Sequence, residues 1–295
     1  PTSDYATQTA CRINTKVLSF SEGFMELKGL DEHCGELSNL IVQGTEYFID
    51  REEWQQPLTN LKVASGLRSI DYDTSRFDHT LGWCGPADTF SDHQHVLEQK
   101  LVTELCRFHF IWSALEATID ISVPIKSIKN IRGKISKTCF YIKSKNGLHP
   151  KFDAYILELA RLEKILTLDS FYSEIFESIE IPEHVNLYGK GIFLAYKLRN
   201  LLAHGSLELP ITQQEDECHY DSDIVRTLSR LTLYTIQVLA IIDLQEDFPW
   251  FSWHYVDVPI EFALTNIQFD VHPEDIYEDS EPDIEDSEPD IEDKN

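Results

Sequence analysis

The sequence predicts an α+β protein. A β-rich N-terminal domain is expected over residues 1–90, a helical bundle over 91–256, and a C-terminal extension over 257–295 that ends in an acidic tail. Three observations predict this. Residues 1–90 hold short alternating or β-branched runs separated by Gly or polar turns. From about His93 the apolar residues recur every three or four positions. From Asp270 to Asn295 there are 13 acidic residues and one Lys.

In chain order, "TKVLSF", "GFMELKG", "SNLIVQG", "EYFID" and "LKVASG" read as strands, with Trp54 and Trp83 as core candidates. "GWCGPAD" at 82–88 reads as a loop at the domain boundary. Leu97, Leu101, Leu105, Phe108, Trp112, Leu115 and Ile119 then form one stripe of a long helix that Pro124 ends. A second helix is expected near 151–168, a short third at 170–179 and a fourth at 187–204. A fifth begins near Asp221–Asp223, where acidic residues suit a first turn, and runs to about Leu244. It is apolar almost all round after Leu231 and should be central to a bundle. The aromatic "FPWFSWHY" at 248–255 is expected to pack back as a strap.

Charge narrows the function classes. The net charge is −26, of which the tail contributes −12, so the remaining chain is itself acidic at −14. That argues against nucleic-acid binding over a broad face. The tail repeats "EDSEPDI" at 278–284 and 285–291. Pro and like charges oppose packing there, so the segment is expected to be unstructured: a solubilising tail, or an arm that docks on a basic partner or competes with RNA for a basic site of the chain itself. No apolar run reaches membrane-spanning length; the longest, Leu231–Ile242, reads as a buried helix, and no membrane association is expected. The opening "PTSDYATQTACR" has no apolar core, and a cytoplasmic location is expected. The six cysteines include no C-x-x-C pair and read as reduced thiols. "HCGE" at 33–36 and "DHQH" at 92–95 are weak ligand patterns that read as turns or helix starts, so no metal and no cofactor are expected.

One basic segment stands out. Between Asp120 and Asp153 there is no acidic residue, while Lys126, Lys129, Arg132, Lys134, Lys137, Lys143, Lys145 and Lys151 crowd the interval. It reads as a solvated loop face or as a local track for a phosphate backbone. Lys197, further along, joins the RNA-contact candidates.

The other candidate is "KLRNLLAHG" at 197–205. An Arg and a His at this spacing carry no weight alone, since chance yields about one such pair in a chain of this composition. Context supplies the weight. Asn200 follows Arg199 directly, although Asn is a poor mid-helix residue. Asn200 and His204 are four apart and share a face. The three polar residues sit in an apolar segment, and Gly205 suits a helix end.

"LRNLLAHG", late in a helical bundle and before a long apolar helix, resembles the HEPN superfamily, and "FIWSALEATI" at 110–119 is similar to that family's first helix. The resemblance covers roughly 93–245. Where toxins paired with nucleotidyltransferases carry a Tyr two positions after the His, this chain has Ser206, so the likeness is to the stand-alone defence proteins, with residues 1–90 as a sensing module. It implies a metal-independent endoribonuclease in antiphage defence or abortive infection. The RNA 2′-OH would attack the adjacent phosphorus and leave a 2′,3′-cyclic phosphate. Arg199 would hold the phosphate, His204 would move the proton, and Asn200 would orient either of them. Positions five apart on a helix lie about 140° and 7.5 Å from each other. The family resolves this with a homodimer in which two copies of the motif line one cleft. Two further readings stand beside this one: a HEPN-like RNA- or protein-binding module without catalysis, and an acidic interaction protein acting through its tail.

Overall fold

A computed structural model describes residues 17–20, 23–43, 52–73, 76, 82, 85–145, 152–168, 170–204 and 220–277. A hairpin of β1 (Val17–Phe20) and β2 (Gly23–Glu26) leads into α1 (Leu30–Gln43). A 3₁₀ turn at Glu52–Trp54 runs into α2 (Gln55–Gly66). The bundle follows as α3 (Gly85–Ser122), α4 (Lys134–Ser144), α5 (Asp153–Leu166), α6 (Ser170–Glu177), α7 (Leu187–Ala203) and α8 (Asp221–Leu244). A second hairpin, β3 (Trp250–Trp253) with β4 (Val256–Pro259), precedes α9 (Ile260–Asn266) and α10 (Pro273–Tyr277).

The predicted α+β class with a β-rich N-terminal domain is therefore wrong: the described protein is predominantly helical, with only two two-stranded hairpins. Part of "TKVLSF" and of "GFMELKG" does form β1 and β2. "SNLIVQG" instead lies almost wholly in α1, and "LKVASG" is the last half of α2. The reason is periodicity over a longer window. Leu30, Cys34, Leu37 and Ile41 are buried at spacings of four, three and four, which is a helical stripe that a seven-residue run hides. "EYFID", Gly205 and the acidic repeat lie outside the described residues.

The helices predicted near 151–168, 170–179, 187–204 and 221–244 are present with small shifts at their ends. The long helix begins earlier than predicted, inside "GWCGPAD". α4 is an addition within the basic segment; it buries Ile135, Thr138, Cys139 and Ile142.

α8 is the centre. It is long and apolar enough to cross a membrane by length and composition, but here it is buried inside the protein. Four of its buried hydroxyls are satisfied within the helix: Thr227, Ser229, Thr232 and Thr235 donate to the carbonyls four residues back. α1 and α2 share one apolar core with the bundle. The strand continuing from β2 pairs with the C-terminal extension: Lys28 N–H donates to the Gln268 carbonyl, and Asp270 N–H to the Glu26 carbonyl, both at 3.0 Å. In the strap, Phe251 and Trp253 are buried, whereas Trp250 is exposed.

Two interactions place α7. Asn186 caps its first turn by accepting the Gly189 N–H at 2.9 Å. The buried Tyr155 hydroxyl donates to the Tyr188 carbonyl at 2.7 Å and accepts the Gly191 N–H at 2.8 Å. This approach needs glycine: a methyl group on Gly191 would lie 2.5 Å from the Tyr155 oxygen. Gly191→Ala is therefore expected to cost about 1–3 kcal/mol through overpacking, read as a lower denaturation midpoint. An unchanged midpoint would show that α5 does not pin α7.

His33 of α1 is fully buried, and burial, reinforced by Arg230, holds its pKa well below 6.5. In the unfolded chain it takes up a proton as pH falls through about 6.5, while the folded protein resists. Stability should thus fall as pH drops below that value. Glu158, whose pKa burial raises, acts in the opposite sense above 4.5. Comparing the native protein with His33→Gln cancels that contribution. The native protein should lose stability more steeply between pH 6.5 and 5; equal slopes would overturn the assignment.

Candidate functional site

α3 and α7 meet along a groove of about 360 Å³ lined by Leu105, Phe108, His109 and Trp112 from α3 and by Arg199, Leu202 and Ala203 from α7. These positions follow from helical spacing. Leu105, Phe108, His109 and Trp112 lie one turn apart on one face of α3, as do Arg199, Leu202 and Ala203 on α7. Trp112 is buried, and its indole N–H donates to Glu116 at 2.8 Å, which fixes the ring. The Arg199 guanidinium sits over that ring, 5.1 Å from its centroid. A cation–π contact holds the charge without using its N–H donors. Among the described residues no carboxylate is in ion-pair contact with Arg199, and no lining residue is acidic. In a chain of net charge −26 this leaves a solvent-open guanidinium suited to an anion.

Burial along α7 stops at Leu198. Arg199, Asn200, Leu201 and Leu202 are half-buried, and Ala203 and His204 are exposed. The polar triplet therefore lies at an opening of the core rather than inside it. His204 ends the helix, its N–H donating to the Asn200 carbonyl at 3.0 Å. It follows Ala203 but is not among the groove's lining residues. Within one chain the groove brings Arg199 together with His109 and not with His204. His109 is exposed and packs edge-on against Phe110. Sequence reasoning passed over it. The available signal was a His one turn before Trp112, bordering the apolar stripe.

The basic segment is divided. Lys126, Lys129 and Arg132 are exposed in the turn between α3 and α4. Lys134 pairs with Asp120 at 2.7 Å and donates to the Glu116 carbonyl at 2.8 Å. Lys137 donates to the Ile125 carbonyl, and Lys143 to the Glu183 carbonyl. Lys145 lies 5.9 Å from the Tyr141 ring centroid. Three of these side chains thus fasten connections. The turn starts beyond the end of α3, about 15 Å along the axis from Trp112, so the segment does not line this groove. Lys197 is exposed over Phe193, about 200° round α7 from Arg199. "HCGE" and "DHQH" both lie inside helices, α1 and α3, and among the described residues no three His, Cys, Asp or Glu side chains gather as metal ligands.

Comparison with protein-family models, with curated proteins and with solved structures finds no match to this chain.

The geometry separates two roles. Arg199→Ala loses a half-exposed cation–π contact and should cost at most about 1 kcal/mol. Trp112→Ala removes a buried ring and should cost about 3–5 kcal/mol. Chemical denaturation of both variants measures this. An Arg199→Ala loss as large as that of Trp112→Ala would make the arginine structural.

Proposed function

We propose that the protein is a metal-independent endoribonuclease of the HEPN type, and that the α3–α7 groove binds the scissile phosphate. Arg199 carries this reading: it is a cation held by an aromatic ring in a groove without carboxylates, inside a strongly acidic chain. Its guanidinium stabilises the charge that develops on the phosphoryl oxygens. The 2′-oxygen attacks phosphorus, the bond to the 5′-oxygen breaks, and the products are a 2′,3′-cyclic phosphate and a 5′-hydroxyl. One imidazole takes the 2′-OH proton and a second gives a proton to the leaving oxygen. His204 and His109 fill these two roles, with Asn200 positioning. His204 lies beside the groove of its own chain rather than in it, so the complete site is a homodimer in which the exposed helix ends meet. The motif likeness further suggests an effector in antiphage defence.

The test is cleavage of single-stranded RNA in EDTA, with analysis of the product ends. Cyclic phosphate ends are expected from the native protein. Arg199→Ala and His204→Ala should each lower the rate by at least about a hundredfold with the fold retained. Unchanged cleavage by the Arg199→Ala/His204→Ala double variant would sink the proposal. RNA binding without cleavage would leave a binding module.

A further inference from the structure

A second cavity, of about 370 Å³, lies on another side of the bundle, where the start of α1 meets α3, α5 and α8. Four of the chain's ten arginines line it: Arg107, Arg161, Arg226 and Arg230. Such a gathering is costly. A buried guanidinium needs an anion and a full set of acceptors, or its desolvation goes uncompensated.

The partners present do not meet that need. One carboxylate, Glu104, serves two arginines, accepting from Arg107 at 3.0 Å and from Nη2 and Nε of Arg226 at 2.8 and 3.1 Å; Arg107 also donates to the Leu67 carbonyl, and Asp223 lies 3.9 Å from Arg226. Arg230 donates to neutral acceptors, the Lys28 carbonyl at 2.7 Å and His33 Nδ1 at 3.3 Å. Arg161 approaches Glu158 no closer than 3.6 Å, beyond a good hydrogen bond. Nε of Arg107, Nε and Nη2 of Arg161 and Oε2 of Glu158 are buried without hydrogen-bond partners. Nε and Nη2 form one edge of a guanidinium, the edge that binds two oxygens of an oxyanion at once. Arg107, Glu158 and Arg230 are each more than nine-tenths buried. Asp31 and Glu32 also border the cavity, at its more exposed rim, and there Glu32 already accepts from the Gly29 N–H.

We infer that this cavity is a binding site for a small phosphorylated anion no larger than a mononucleotide. The volume sits at the lower end of the range for small-molecule sites. The guanidinium groups come from three helices and converge on one space, which suits the several oxygens of a tetrahedral phosphate better than a flat carboxylate. The site is separate from the α3–α7 groove and does not rest on the RNA-cleavage reading.

Thermal unfolding and titration calorimetry with pyrophosphate, AMP and succinate, at constant ionic strength, test this. Pyrophosphate or AMP should raise the melting temperature saturably, and succinate should not. Arg226 lies at the rim, so Arg226→Gln spares the buried core; it should weaken binding by about tenfold or more, as should Arg161→Gln. Three results would each overturn the inference: no binding of either phosphate compound at millimolar concentration, equal binding of succinate, or native affinity in a folded Arg226→Gln variant.

Discussion

A helix with no polar face has no place in water until every side of it is covered, and α8 imposes that condition on this chain. Every residue from Thr227 to Ile242 is buried. α3, α5 and α7 supply much of the cover, and α1 and α9 complete it. The helix tolerates its own threonines and serine because their hydroxyls turn back onto carbonyls one turn earlier. Gln237 likewise finds the Leu264 carbonyl and Gln268, which ties the C-terminal extension to the centre. The N-terminal helices are thus part of the wrapping of one apolar rod.

Both polar sites arise where this wrapping is incomplete. At one, α7 leaves the core after Leu198, and its last turn presents Arg199 to Trp112. The other end of α7 is fastened by the Tyr155 hydroxyl and by two glycines that let α4 and α5 approach closely. Because α7 is rigid, a clasp at Gly191 sets where Arg199 sits two turns later. At the second site, the first turns of α8 face α1, α3 and α5, and arginines occupy the space that apolar side chains fill further along.

Much of the bundle was legible because its period is long. Seven apolar positions at spacings of three and four identify α3 whatever surrounds it. Short runs were not legible. "SNLIVQG" and "LKVASG" contain the β-branched residues that favour strands, yet each is a fragment of a helical stripe. α4 was hidden for a different reason: its lysines drew attention to charge, while its buried Ile135, Cys139 and Ile142 are a sparse stripe in an eleven-residue helix. At the candidate site, Arg199 was legible through the Asn beside it and the His five residues further on. His109 was not, because its relevance depends on which face of α3 meets α7. The arginine cavity was invisible in sequence, since its arginines are separated by as many as 123 positions, from Arg107 to Arg230.

The sequence by itself determined the acidity of the chain, the long helices, the central place of α8 and the cluster at 199–204. These depend on local period and composition, which a linear reading contains. The helical period of α1 and α2 was also in the sequence, but only over a window longer than a strand-like run. Tertiary structure alone decided the placing of Arg199 over Trp112 and beside His109, and the convergence of four arginines. The physical reason is common to both: each is fixed by which helix faces meet in the bundle, and that choice is made by packing between segments far apart in the chain.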